Sequence, residues 1–511
     1  MSKQTLFIAF IVSLGGFLFG FDAGIISGVM EYAKPFFNLN DGQNGWVTSC
    51  PTFVAMFAML ISGKLSDSVG RKPVLIAVAF LYALSALLSA YANSYEMLYI
   101  ARMIGGLAFG AALILAPTYI AEISNASNRG KLVSIQQLNI VLGFFAAFLS
   151  NYFFNQWYSA GTELLNDESV WRWMLGVELL PAVLYFFFLF FVPKSPRWLL
   201  SKNRVEEAKQ VLVRLHGEEI AAVESAAIQA NLSEEKNTQA TSIGELFKPS
   251  LRFILIVGII IGVLQQATGI NAIYFYATSI FKQTGIGTNA AFTSGVLLSF
   301  TSVVFTVIAM GTIDRLGRRP LLLFGIAGIA ISLLTCAYGF SQAKYELTTE
   351  KIAALDGIEA EKLDPVRDQI YFSDVKFKNR MKHLLGEEVF AKNEGAILEA
   401  ATDINALLVL LGVLGFIACF AFSLGPVMWV MLSEMYPSRI RGLAIGCIGF
   451  INSFTAWVVT QIFPWELSNL GSSLSFFIFG AIAVVGFLVL YKILPETKGK
   501  TLEQLEAELA S

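Results

Sequence analysis

Charge is scarce in this sequence. Asp, Glu, Lys and Arg make up 14% of its 511 residues, against 55% hydrophobic residues. At a mean hydropathy of +0.63, a soluble protein of this size could not hide so much apolar surface, and a polytopic helical membrane protein is expected. Histidine is nearly missing. His216 and His383 are the only two, both in polar stretches, which argues against a histidine metal site or a His-based nucleophile pair. Cysteine is also sparse. Cys50, Cys336, Cys419 and Cys447 sit in apolar stretches without paired spacing and read as small buried hydrophobes, not as disulfides or metal ligands. The short alternating segments of a membrane barrel are missing, and a formal net charge of −2 gives nucleic acid nothing to bind. With no nucleophile–base or metal set, an enzyme is not expected, nor is any cofactor.

Long apolar runs are plentiful. Twelve are of membrane-spanning length, near 6–28, 46–66, 73–92, 97–120, 132–154, 172–192, 252–281, 290–311, 320–340, 405–432, 442–463 and 472–494. The first follows Met1-Ser2-Lys3-Gln4-Thr5 with no clear small-residue cleavage site and is read as a retained helix. Lys64, Arg71, Lys72, Arg129, Lys131, Arg315, Arg318, Arg319, Arg439 and Arg441 all fall in short loops on one side. The positive-inside rule makes that side cytoplasmic and puts both termini there.

A charged turn occurs twice. It reads Gly63-Lys64-Leu65-Ser66-Asp67-Ser68-Val69-Gly70-Arg71-Lys72-Pro73 and again Gly311-Thr312-Ile313-Asp314-Arg315-Leu316-Gly317-Arg318-Arg319-Pro320. A second repeat places Glu122 and Arg129 after span four, and Glu434 and Arg441 after span ten, seven apart in each case. The chain is therefore a duplication, with a six-helix half at 1–192, a cytoplasmic linker with short helices at 193–251, a second half at 252–494 and a cytoplasmic tail at 495–511. Asp67 to Asp314 spans 247 positions and Glu122 to Glu434 spans 312. The second half thus carries about 65 extra residues, which the polar outer segment 341–404 supplies. That segment is expected to be a solvated excursion with no essential role, with an interaction module as the alternative.

These motifs resemble those of the sugar porter family of the major facilitator superfamily, nearest to bacterial xylose-type sugar–proton symporters. The resemblance rests on the two turns, on Pro117-Thr118-Tyr119-Ile120-Ala121-Glu122 through Arg129-Gly130-Lys131, on Gln265-Gln266-Ala267-Thr268-Gly269-Ile270-Asn271, on Gly425-Pro426-Val427-Met428-Trp429 and on Pro495-Glu496-Thr497-Lys498-Gly499. Pro193-Lys194-Ser195-Pro196-Arg197 departs from the family's Pro-Glu-Ser-Pro-Arg at Lys194. The resemblance implies an all-α fold of twelve membrane helices in two pseudo-symmetric halves. It also implies a monosaccharide and protons as partners, in a monomer of the bacterial inner membrane.

Asp22 in span one and Arg102 in span four read as the two clear charges within the spans of the first half. A charge at that depth is costly unless it has a partner or a task. A carboxylate gains or loses its proton as an arginine moves away or returns, so the pair is expected to couple protons, the role of the matching residues in the resembling symporters. Sugar hydroxyls both donate and accept, and neutral amides match both roles without the desolvation cost of a charge. A lone amide would serve helix packing. The set Gln137, Gln265, Gln266, Asn271 and Asn452, placed by the family pattern, is expected to bind sugar, with Trp429 as a platform for its C–H face. Thr268-Gly269 is expected to break span seven and Gly425-Pro426 to loosen span ten, while Tyr274, Phe275 and Tyr276 are expected either to close over the ligand from outside or to pack in the core or against lipid. Phe144, Ser453 and Ser302 stand where the family often has glutamine, tryptophan and asparagine, which leaves the particular sugar open.

Asp67, Arg71, Glu122 and Arg129, with Asp314, Arg318, Glu434 and Arg441, are expected to form a cytoplasmic latch of salt bridges between the halves. The expected function is monosaccharide import by proton symport through alternating access. A passive uniporter and a transporter-like sugar sensor are the alternatives.

Overall fold

The computed structural model describes residues 3–125, 128–237, 243–355, 358–436 and 438–497. Among them are twelve helical segments long and apolar enough to cross a membrane, one for each expected span. The first half holds α1 (Lys3–Phe36), α2 (Asp41–Val69), α3 (Arg71–Ala90), α4 (Tyr95–Glu122), α5 (Arg129–Ser159), α6 (Val170–Gly176) and α7 (Leu179–Leu189). Span six is thus two helices that part around Glu178. The linker forms α8 (Pro196–Ser201), α9 (Val205–His216) and α10 (Glu218–Asn237), as its Glu/Lys spacing predicts. In α9, Ala208, Leu212 and Leu215 are buried beneath an exposed charged face.

Span seven is broken into α11 (Pro249–Ala267), α12 (Ile270–Phe275) and α13 (Ala277–Lys282). Gly269 makes the first break with φ +87°, a left-handed conformation that glycine adopts without strain. A Cβ there would also lie 2.7 Å from the Phe479 ring. Next come α14 (Thr288–Leu316) and α15 (Arg318–Ser341). Both copies of the repeated turn hinge on a glycine, Gly70 (φ +104°) before α3 and Gly317 (φ +90°) before α15.

The described residues of segment 341–404 form a folded subdomain with a core of its own, which the polar composition did not suggest. It contains β1 (Lys344–Glu346), α16 (Thr349–Ala353), β2 (Ile370–Tyr371), α17 (Asp374–Leu385), α18 (Glu387–Ala401) and β3 (Thr402–Asp403). The strands form an antiparallel sheet in the order β2-β1-β3. Tyr345, Phe377, Met381, Phe390, Ile397 and Leu398 are almost wholly buried in a core of its own, each large apolar side chain contributing about 2 kcal/mol of transfer free energy. These apolar positions recur at helical spacing within a polar composition, and composition alone hid the pattern.

Span ten is α19 (Ala406–Phe422) followed by α20 (Leu424–Met435). The break falls at Ser423 (φ −127°, ψ −88°), two residues ahead of the expected Gly425. α21 (Ser438–Asn469) and α22 (Gly471–Ile493) complete the bundle.

The chain clusters into two compact units that do not follow the halves strictly. The first comprises 1–23, 50–147 and 175–246; the second comprises 24–49, 148–174 and 247–511. In the first unit, α1 and α5 cross with their backbones in contact. A Cβ at Gly20 would lie 1.9 Å from the Ile140 carbonyl oxygen, and one at Gly143 would lie 2.0 Å from that of Phe17. Small residues permit this approach, and it fixes the helix that carries Asp22. In the second unit the ends of α1, α2 and α5 away from the repeated turn join the second-half helices. Ser27 Oγ lies 3.1 Å from Thr278 Oγ1, Asn155 Nδ2 donates to Asn289 Oδ1 at 2.6 Å, and Ser49 Oγ donates to Gln461 Oε1 at 2.8 Å.

Candidate functional site

Asp22 and Arg102 meet inside the first unit. Arg102 Nη1 lies 3.1 Å from Asp22 Oδ1, and both residues are at least 95% buried. The groups around them come from several helices. Ser85 Oγ donates to the Ala101 carbonyl at 2.8 Å, and Gly105 admits it there, since a Cβ at that position would lie 2.7 Å from Ser85 Oγ. A third charge of these spans joins Asp22 and Arg102 in the structure. Glu178, at the break between α6 and α7, is 3% exposed and within electrostatic reach of both Asp22 and Arg102. It lies inside the span drawn at 172–192, so depth in the span was the signal that could have found it. Two buried acids and one base carry a net charge of −1 when all are ionised. One added proton makes the cluster neutral.

The second unit holds a closed network of four amides from three helices. Asn452 Nδ2 on α21 donates to Gln265 Oε1 and to the Gly262 carbonyl, both at 2.8 Å. Gln266 Nε2 donates to Asn452 Oδ1 at 3.2 Å, and Asn271 Nδ2 donates to Gln266 Oε1 at 3.0 Å. The Gly269 break is what brings Asn271 back onto Gln266, although the two are five residues apart. Gln265 Nε2 donates to the Leu424 and Gly425 carbonyls at 3.2 and 3.3 Å, so the network also engages the first turn of α20. Trp429 on α20 is 42% exposed, with its ring edge close to Gly449. Gln137 lies in the first unit, half-buried and with no hydrogen bond among the described residues.

The aromatic run after Asn271 is buried. Tyr276 Oη donates to the Thr460 carbonyl at 3.2 Å, and Tyr274 is hydrogen-bonded to the Ser302 side chain. Ser302 thus has a role where the family often has asparagine. Phe144 stands edge-on to Phe19, which packs at 4.9 Å against the tilted ring of Phe109. The glutamine common in the family is replaced by part of an aromatic cluster.

The charges of the repeated turns form two matching clasps. In the first half, Arg71 Nη2 pairs with Glu122 Oε1 at 3.0 Å and Arg71 Nη1 with Asp67 Oδ1 at 2.6 Å, while Ser195 Oγ donates to Glu122. In the second half, Arg318 Nη2 pairs with Glu434 Oε1 at 2.8 Å and Thr497 Oγ1 donates to Glu434 Oε2 at 2.6 Å. Ser195 and Thr497 are therefore equivalent, a third internal repeat linking Pro193-Lys194-Ser195 with Pro495-Glu496-Thr497. Glu496 accepts from the backbone N–H groups of Arg318 and Arg319 at 3.2 Å, a carboxylate at the N-terminus of α15. Lys194, at the equivalent place in the first half, instead pairs with Glu207 on α9. The sequence reading set these charges across the halves, whereas the ion pairs among the described residues tie helix ends within one half. The reason is geometric, because each arginine opens the helix directly after its turn and faces the carboxylate of its own half. Arg441 Nε donates to the Tyr436 carbonyl at 3.2 Å. The side chains of Arg129 and Asp314 lie outside the described residues, as do Lys498 and Gly499.

The first clasp is the more buried, with side-chain exposures of 11% for Arg71 and 7% for Glu122. Arg71→Met leaves Glu122 without its cation and is expected to destabilise the protein by about 3 kcal/mol. Arg318→Met should cost less, because Glu434 is 30% exposed and can be hydrated. Thermal unfolding in detergent micelles checks both; equal small shifts would contradict the ranking.

With this geometry in view, the comparisons with known proteins are specific. The family model "Sugar (and other) transporter" matches residues 8–355 and 389–509. The unmatched gap lies inside the outer subdomain. The "Arabinose-proton symporter" of Bacillus subtilis (strain 168) is 32% identical over 502 residues, covering 98% of this chain and 94% of that protein. The "Glucose transporter GlcP" of Staphylococcus epidermidis is 31% identical over 511 residues, covering 99% and 98%. The solved inward-open xylose transporter XylE from E. coli superposes with a TM-score of 0.74 at 27% identity, covering 99% of both chains. The chain is a multi-pass membrane protein with two six-helix halves and belongs to the sugar transporter family of the major facilitator superfamily.

Proposed function

We propose that this protein imports a monosaccharide, a pentose or a hexose, by proton symport through alternating access. It does so in the bacterial inner membrane with both termini cytoplasmic. The observation that carries the reading is the division of labour between the units: a buried acid–base cluster of Asp22, Arg102 and Glu178 in one, and a network of neutral amides in the other. Gln265, Gln266, Asn271 and Asn452 exchange hydrogen bonds with each other in the structure, and a sugar could take them over one for one. Gln137 is the amide that the first half adds, and Trp429 offers an aromatic face to C–H groups. Protonation at Asp22 releases its hold on Arg102 and lets the cluster change state without an uncompensated buried charge.

The charged clasps keep each half rigid while it moves. Asp67, Arg71 and Glu122 serve the first, and Arg318 and Glu434 the second.

Uptake of a panel of radiolabelled pentoses and hexoses into proteoliposomes, with and without an imposed pH gradient, tests the proposal. The expected result is accumulation above the external concentration only with the gradient, together with alkalinisation of a weakly buffered medium on sugar addition. Equilibration without alkalinisation would make the protein a uniporter, and no uptake of any sugar would overturn transport.

A further inference from the structure

The outer subdomain is seated, not merely folded. Its helix α18 lies on the connection between α13 and α14. A Cβ at Gly395 would come within 3.0 Å of Lys282 Cε and 3.4 Å of Thr288 Oγ1, and one at Gly287 within 2.7 Å of the Glu399 carboxylate. A second anchor lies at the other end, where Asp374 Oδ2 accepts from the Ser472 N–H at 2.8 Å at the start of α22. The subdomain therefore rides on second-half helices.

Its charges reach further, to a helix of the first half. Glu394 on α18 lies 3.9 Å from Lys378 and within electrostatic reach of Lys34, Lys282 and Lys382. Lys282 in turn pairs with Glu31 at 2.5 Å, and Lys34 pairs with Asp41 at 3.6 Å. Glu31 and Lys34 sit on the outer end of α1, so charges of alternating sign run from α17 and α18 through α13 to α1. Burial alone would raise the Glu394 carboxyl, but the lysines outweigh it and hold it below the usual carboxylate range, so it is charged at neutral pH.

The joint is strong in charge yet loosely packed. A cavity lined by Glu31, Lys34, Asn44, Tyr276, Gln283 and Glu394 remains beneath α18. Asn44 Oδ1 and Gln283 Oε1 are buried at this joint without a hydrogen-bond partner among the described residues. Unsatisfied acceptors penalise the closed arrangement, while the ion pairs favour it. Such opposed contributions suit a contact that must part in every cycle.

We propose that the 341–404 subdomain is an external lock on the outer gate: α18, through Glu394, holds the outer end of α1 against α13 and favours the state closed to the outside. The inference rests on the alternating-access reading above, and its test does not depend on uptake. Ser27 is 2% exposed and accepts a hydrogen bond from the Thr278 N–H at 3.0 Å, so a cysteine placed there reports opening of the seam between α1 and α13.

In intact cells expressing the Ser27→Cys chain, labelling by a membrane-impermeant maleimide is measured against the same chain without that cysteine. Adding Glu394→Gln should speed labelling about five- to tenfold. A chain in which residues 345–402 are replaced by a short Gly-Ser linker should match or exceed that. The cut is feasible because Lys344 and Asp403 are paired strand neighbours. Lys34→Gln should also speed labelling, with little further change when it is combined with Glu394→Gln, because the two residues act on one another. Unchanged labelling with Glu394→Gln would overturn the lock even if the shortened chain failed to fold. Additive effects of Lys34→Gln and Glu394→Gln would overturn the link between them. A chain that takes up no sugar yet shows the labelling change would sink the proposed transport while leaving the lock in place.

Discussion

Asp22→Asn is expected to abolish uphill sugar uptake while sparing exchange of labelled for unlabelled sugar. The variant keeps the size and hydrogen-bonding reach of the side chain, so the contact with Arg102, 3.1 Å in the native protein, can persist in neutral form. It removes the group that takes up a proton as the arginine departs. A membrane potential contributes about 2.3 kcal/mol per charge per 100 mV, which corresponds to an approximately 50-fold sugar gradient if one charge moves with each sugar. That factor should collapse to about one. Proteoliposomes under an imposed pH gradient and potential give the accumulation ratio, and counterflow in the same vesicles gives the exchange rate. Full accumulation by the variant would sink the proton role of Asp22. Loss of exchange as well would point to a structural ion pair whose neutralisation disturbs the bundle.

The second large effect is expected at Asn452, whose amide joins α21 to α11. Asn452→Leu keeps the volume but removes the donors to Gln265 Oε1 and the Gly262 carbonyl and the acceptor for Gln266 Nε2. A lost hydrogen bond with a polar partner left behind costs about 1–3 kcal/mol. Sugar affinity measured as the half-saturation constant of counterflow should therefore weaken about 10- to 100-fold. A purely architectural role would instead lower thermal stability and leave that constant unchanged. Protection against heating by added sugar, compared between native and variant protein, separates the two. An unchanged constant across the whole sugar panel would remove Asn452 from the binding set.

Much of this molecule was open to reading along the chain. Twelve long apolar runs have one physical solution in a bilayer, because helices satisfy their backbone groups internally, and the described residues hold twelve helical segments of that kind. The repeated turn gave the duplication, and the glycines at 70 and 317 show why it recurs, since both carry a positive φ immediately before a helix. Thr268-Gly269 marked the break in span seven because glycine in that place has a local conformational cause. The break in span ten fell at Ser423, ahead of the Gly425-Pro426 signal. There the Gln265 amide, from another helix, engages the carbonyls just beyond it.

What went unread is of one kind. Glu178 lies at a helix break that composition does not announce, and its relation to Asp22 and Arg102 exists only once α1, α4 and the α6–α7 break are packed. The outer segment looked solvated because its polar residues outnumber the apolar ones that make its core. Sequence patterning determined the twelve helices, the duplication and the residue types at the membrane interior, because local periodicity and the bilayer's low polarity act on each segment alone. Only the tertiary structure decided which arginine meets which carboxylate, which amides share hydrogen bonds, and that Glu394 lies within reach of Lys34 some 360 positions away in the chain. Those pairings depend on distances between helices, and no property of a single segment encodes them.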